Sequence, residues 1–111
     1  MPRTLARRTR RPRPRAGKAR RAAEARVLTD IPNIGPSIAG DLRRLGITQP
    51  RQLAGRDPIA LYRRMNRLAG HQDPCLADAF IAAVRFMQGG PAKPWWAFTP
   101  ERKRMLRPGR R

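Results

Sequence analysis

Leu76, Ala79, Phe80, Ala83, Val84 and Met87 recur at i, i+3, i+4, i+7, i+8 and i+11, the spacing that lines up one face of an α-helix. Ile38, Leu42 and Leu45 repeat the pattern, and so do Ile59, Tyr62 and Met65 with Leu68 or Ala69. No stretch alternates apolar and polar residues, so no strand is expected. Breaks in the pattern carry helix signals. Gly35-Pro36, Asp57-Pro58 and Asp73-Pro74 each set a capping-type residue before a proline, whose fixed φ and missing N–H suit the first helical position. Gly46, Gly55, Gly70 and Gly89 each follow an apolar-periodic stretch, where a left-handed residue ends a helix. The pattern predicts an all-α fold of five short helices, over residues 19–29, 36–45, 49–54, 58–69 and 74–88.

Charge divides the chain further. Its 111 residues hold 26 Lys plus Arg against 7 Asp plus Glu, a net charge of +19 that calls for a polyanionic partner. Residues 1–26 are an Arg- and Pro-rich tail with too few apolar side chains to offset the entropy of ordering them, and residues 101–111 read as a second basic tail. Residues 27–100 are the expected domain. Flexible basic ends bind phosphate backbones without sequence preference, RNA as readily as DNA.

Several classes fall away. No apolar run approaches the roughly 20 residues of a membrane helix, and the N-terminus lacks the apolar stretch of a secretory signal. The single Cys75 cannot close an intramolecular disulfide. A reduced cytoplasmic setting is expected, on the nucleoid if the partner is DNA. His71, Asp73 and Cys75 lie close together, but Asp73 is better used as a helix cap and a fourth ligand is missing, so neither a metal nor another cofactor is expected. Asp41, Asp57, Asp73 and Asp78 have no spacing that pairs two carboxylates for hydrolysis, and nothing near Cys75 and His71 supplies an orienting third residue. No enzyme is expected.

The informative segment runs from Leu28 through Ile31-Pro32-Asn33-Ile34-Gly35 to Pro36-Ser37-Ile38-Ala39. A helix ends, a short turn follows, and a second helix starts at Gly35-Pro36. The amides of Gly35, Ser37 and Ile38 would then face outward at a helix N-terminus, where the dipole and the unpaired donors favour an anion such as a phosphate. Gly35 leaves room for close approach, and Ile31 and Ile34 pin the turn from below. Arg43 and Arg44 follow on the same helix. The candidate DNA contacts are therefore Ile34, Gly35, Ser37, Ile38, Arg43 and Arg44.

Ile31-Pro32-Asn33-Ile34-Gly35 resembles the helix-hairpin-helix DNA-binding motif, a hydrophobic residue, Pro, Gly, a hydrophobic residue and Gly, with Asn33 in place of the first glycine. Asn tolerates the left-handed backbone better than other non-glycine residues, which preserves the turn. Leu45-Gly46-Ile47 through Leu61-Tyr62 resembles the second half of tandem helix-hairpin-helix domains, here without a Gly-x-Gly turn and so a support. Adding Gly70, Asp73, Cys75, Phe80, Ala83-Val84, Pro94 and Trp95-Trp96, the order is similar to the small bacterial proteins of the pathogenicity-locus or mitomycin-resistance family. That resemblance implies a single helix-hairpin-helix domain.

Two functions compete. One is nonenzymatic, sequence-independent DNA binding at the hairpin, with a link to DNA repair or damage resistance. The other is a protein-interaction adaptor whose hairpin is structural and whose surface around Trp95, Trp96 and Phe98 docks a repair or recombination protein. Trp95 and Trp96 follow Gly89-Gly90-Pro91 and Pro94, outside any helical period. At least one is expected to fold back on the small core, the alternative being a stacking platform for unpaired bases.

Overall fold

Asp57 and Asp73 do what their place before proline predicts. The Asp57 carboxylate accepts from the amides of Ile59 and Ala60 at 3.0 and 3.2 Å, and Asp73 accepts from Cys75 N–H at 2.8 Å. In the computed structural model, which describes residues 18–107, these caps open α2 (Pro58–Ala69) and α3 (Cys75–Met87). The first helix, α1 (Pro36–Arg44), starts at an uncapped Gly35. Gly46, Gly55, Gly70 and Gly89 all carry positive φ, between 83° and 99°, and end the elements they follow.

α3 is the centre of the molecule. Ten of its thirteen residues are buried, not the single face that the apolar spacing picked out, because α2, α4 (Thr99–Met105) and two single turns surround it. Phe80 and Phe86 are fully enclosed, each contributing about 2 kcal/mol through the water it sheds. Leu28, Ile31, Ile34, Leu42 and Ile47 close the opposite side of this core, and Ala39, with no exposed surface, brings α1 close.

Four α-helices and four short 3₁₀ turns stand among the described residues, where five helices are expected from the sequence. Residues 19–29 are not a helix. They hold two 3₁₀ turns, Ala22–Glu24 and Leu28–Asp30, separated by extended backbone at Ala25 and Val27. A helix there would hold its ends about 15 Å apart. Instead the amide of Ala19 donates to the Asp30 carbonyl at 2.7 Å, and the Asp30 carboxylate takes the amides of Arg26 and Val27 that helix bonds would need. Residues 49–54 likewise reduce to one 3₁₀ turn, Pro50–Leu53, because Gln52 Oε1 accepts from the amides of Thr48 and Gln49 and Gly55 stops the chain.

α4 comes from residues whose charge reads as a tail. Its anchor is Asp78, the one buried charged residue among those described, whose carboxylate accepts from Thr99 Oγ1 at 2.6 Å and Arg102 Nε at 2.8 Å. This pairing raises the pKa of Arg102 further and keeps the guanidinium charged. Arg85 pairs with Glu101, and Phe98, Met105 and Leu106 pack on the core. Residues 1–17 and 108–111, the greater part of the N-terminal tail and the end of the C-terminal one, lie outside the described residues.

Asp78→Ala leaves Arg102 without its partner in a half-buried position. Loss of a buried pair's partner costs about 3 kcal/mol. Urea denaturation should show a loss of that size, and trypsin should cut at Arg102–Arg104 in the variant under conditions where the parent protein resists.

Candidate nucleic-acid interface

The turn between Leu28–Asp30 and α1 is built by three kinds of bond. Ile34 N–H donates to the Ile31 carbonyl at 3.1 Å, closing a turn with Pro32 and Asn33 at its centre. Asn33 has φ 74°, the left-handed conformation that a type II turn requires at this position. Its side chain is also used: Nδ2 donates to the Lys93 carbonyl at 2.8 Å, and Oδ1 accepts from Trp95 N–H at 3.1 Å. Lys18 Nζ completes the turn by donating to the carbonyls of Thr29 and Ile34, each at 2.7 Å. Partial burial pulls the Lys18 pKa down, and the Asp30 carboxylate opposes that shift.

The amides of Gly35, Ser37 and Ile38 have no acceptor among the described residues; the first helical bond runs from Ala39 N–H to the Gly35 carbonyl. Gly35 itself is extended, with φ −92°, and a Cβ built on it meets nothing within 4 Å. The backbone therefore does not require glycine here, and the space in front of it is open. Ser37 is exposed and Ile38 half-buried, while Ile34 is fully buried with its N–H and carbonyl both bonded, so its part is to hold the turn.

Arg43 and Arg44 lie roughly 10 Å along the helix axis from those amides, at the far end of α1. Arg44 lines a hollow with Arg64, Arg67 and Leu68, without a carboxylate among its lining residues. Sequence reading missed Arg64 and Arg67, although their spacing of three on α2 is a signal that they share a face. Another basic cluster was hidden in the tail and in the loop after α3. Lys18, Arg20 and Lys93 line a groove of about 650 Å³ against Pro32 and Asn33, again without a carboxylate. The turn thus lies beside a basic groove.

On the other side of Asn33 a cleft of about 410 Å³ runs between α1 and the start of α3, with Ser37, Asp41, Asp73 and Trp95 in its walls. The bond from Cys75 N–H holds the Asp73 carboxyl below its ordinary value of 3.8, and the hydrogen bond to Asp73 pushes the Cys75 thiol up. Cys75 is therefore a protonated thiol at neutral pH. Trp95 is half-buried and Trp96 is 62% exposed, their rings edge to face at 5.5 Å between centroids. Neither belongs to the core; Phe98 is the residue of that segment that packs on it.

A family model described as "Cdd1: Pathogenicity locus" matches residues 21–104, from the first 3₁₀ turn into α4. The chain belongs to the Cdd1 pathogenicity-locus family. It is 50% identical, over 80 residues, to the mitomycin resistance protein McrB of Streptomyces lavendulae, a match covering 71% of this chain and 76% of that protein. No solved structure matches. Asn33, Lys93 and Trp95 fall within the span matched to Cdd1, whereas Lys18 and Arg20 precede it. No described helix is long and apolar enough to cross a membrane.

Asn33→Ala removes both side-chain bonds and puts an alanine at φ 74°, a combined loss of about 2 kcal/mol. Asn33→Gly relaxes the backbone but still frees residues 93–95. Thermal melting should rank the parent above Asn33→Gly and that above Asn33→Ala, and both variants should shift tryptophan emission to the red.

Proposed function

We propose that this protein binds DNA without acting on it chemically, holding a phosphate on the amides of Gly35, Ser37 and Ile38. Arg20 and Lys93 neutralise phosphates on the groove side. Arg43 and Arg44, with Arg64 and Arg67, reach others beyond the end of α1. The observation that carries this reading is the conjunction at the turn: three unbonded amides, open space in front of Gly35, and a groove lined by basic side chains without a carboxylate. Such contacts read the backbone, so binding is sequence-independent. A setting in DNA repair or damage resistance is part of this proposal; the name of the relative states mitomycin resistance. RNA binding through the tails would draw in part on residues outside those described.

A second reading, the protein-interaction adaptor, draws on the exposure of Trp96 at 62%. In it the turn is scaffold and the aromatic segment docks a repair or recombination partner.

Gly35→Leu separates the two readings. It should melt like the parent protein, since nothing lies within 4 Å of the new Cβ, yet bind duplex and single-stranded DNA about tenfold more weakly by fluorescence anisotropy. Lys93→Ala should lower the slope of log affinity against log salt by about one. Unchanged affinity in Gly35→Leu would remove the turn from the account and leave the adaptor reading.

A further inference from the structure

The cleft and the basic groove share one wall, Asn33, but offer opposite chemistry. The groove presents Lys18, Arg20 and Lys93. The cleft holds no lysine or arginine; it has Ile38, Leu76 and Ala79 as apolar walls, the ring of Trp95, and acceptors on Asp41, Asp73 and Gln72. The backbone of Trp95 is anchored beside the cleft by its amide bond to Asn33, and its ring meets Trp96 edge to face. The Asp41 carboxylate makes no ion pair or hydrogen bond with another described residue, and the Gln72 side chain uses only its amide N–H, donated to the Gly70 carbonyl.

A nucleotide has the same two-part chemistry. Its phosphates are repelled by the carboxylates and fit the groove and the open amides at the start of α1, while a planar ring bearing an amine fits the cleft. Cytosine, adenine and guanine each carry an exocyclic amine that carboxylates accept from; thymine has no amine, and its one ring N–H is flanked on both sides by carbonyl oxygens that the carboxylates repel. In a duplex those edges are paired and the ring is stacked inside, so only an unpaired base can enter. We propose that the cleft takes an unpaired, amine-bearing nucleobase of a DNA strand whose phosphates run through the adjoining groove. Trp95 supplies the stacking surface, and Asp41 accepts from the amine. The inference rests on the DNA-binding reading above and gives it a substrate class: single strands, and duplexes carrying an unpaired base, over intact duplex.

The full-length protein tests this at neutral pH and fixed salt. Trp96→Phe leaves Trp95 as the sole tryptophan and so as the reporter. Oligo-dC should quench Trp95 and bind about tenfold more tightly than oligo-dT or a duplex of equal length. Asp41→Ala, a change at a half-buried position away from the helix caps, should bring the dC to dT affinity ratio to about one. A preference for oligo-dC that survives Asp41→Ala would overturn the assignment of Asp41. Equal binding of all three DNAs without quenching would overturn the cleft as a base site and leave the backbone contacts standing. Failure to bind any of them would bring down the DNA-binding reading, and this inference with it.

Discussion

Asp78 sits, fully buried, in the first turn of the most buried helix, and its carboxylate has to be satisfied there. Taking an ionised group out of water costs several kcal/mol unless charged and hydrogen-bonding partners come with it. Thr99 and Arg102 are those partners, and they can reach Asp78 only if the chain after α3 returns and forms α4 against it. The position of Asp78 in the first turn of α3 adds a favourable interaction with the helix dipole. One buried carboxylate thus fixes where the C-terminal part of the fold must lie.

The connection from Gln88 to Phe98 is then held at both ends. α3 and α4 fix its limits, and Asn33 seizes it between them through Lys93 and Trp95. This double restraint sets the tryptophans beside the turn, and it makes a basic groove and an acidic aromatic cleft share a wall. Charge follows the same division. The described residues hold seventeen basic side chains and all seven acidic ones, a net of +10, and their ion pairs engage only Arg21, Arg85 and Arg102. The attraction for polyanions therefore belongs to the folded part as well as to the tails.

What was legible in the sequence is what depends on neighbours along the chain. The Asp57 and Asp73 caps, the four left-handed glycines and the left-handed Asn33 are local matters of donor count and φ, and they lie where the residue types put them. The Gly35 and Ser37 end of α1 was legible for the same reason. Residues 19–29 misled because Ala, Arg and Glu favour a helix intrinsically, while the Ala19 to Asp30 bond that overrides them exists only once the chain doubles back. α4 was missed because its ion pairs join residues sixteen and twenty-four positions apart. Lys18, Arg20 and Lys93 form a groove only through the tertiary fold, and no periodicity announces it.

The Asn33 clamp also has a history within the life of each molecule. Its two partners lie 60 and 62 residues further along the chain. Contacts of such long separation close slowly, since the intervening loop must first lose its freedom. On the ribosome, which delivers the chain from its N-terminal end, α1 and α2 are complete well before Lys93 and Trp95 emerge. The turn therefore spends that interval with a left-handed asparagine unsupported, and the groove and cleft on either side of it do not yet exist. The two hollows beside the turn are therefore among the late features of the fold, formed only when the C-terminal part of the chain is available.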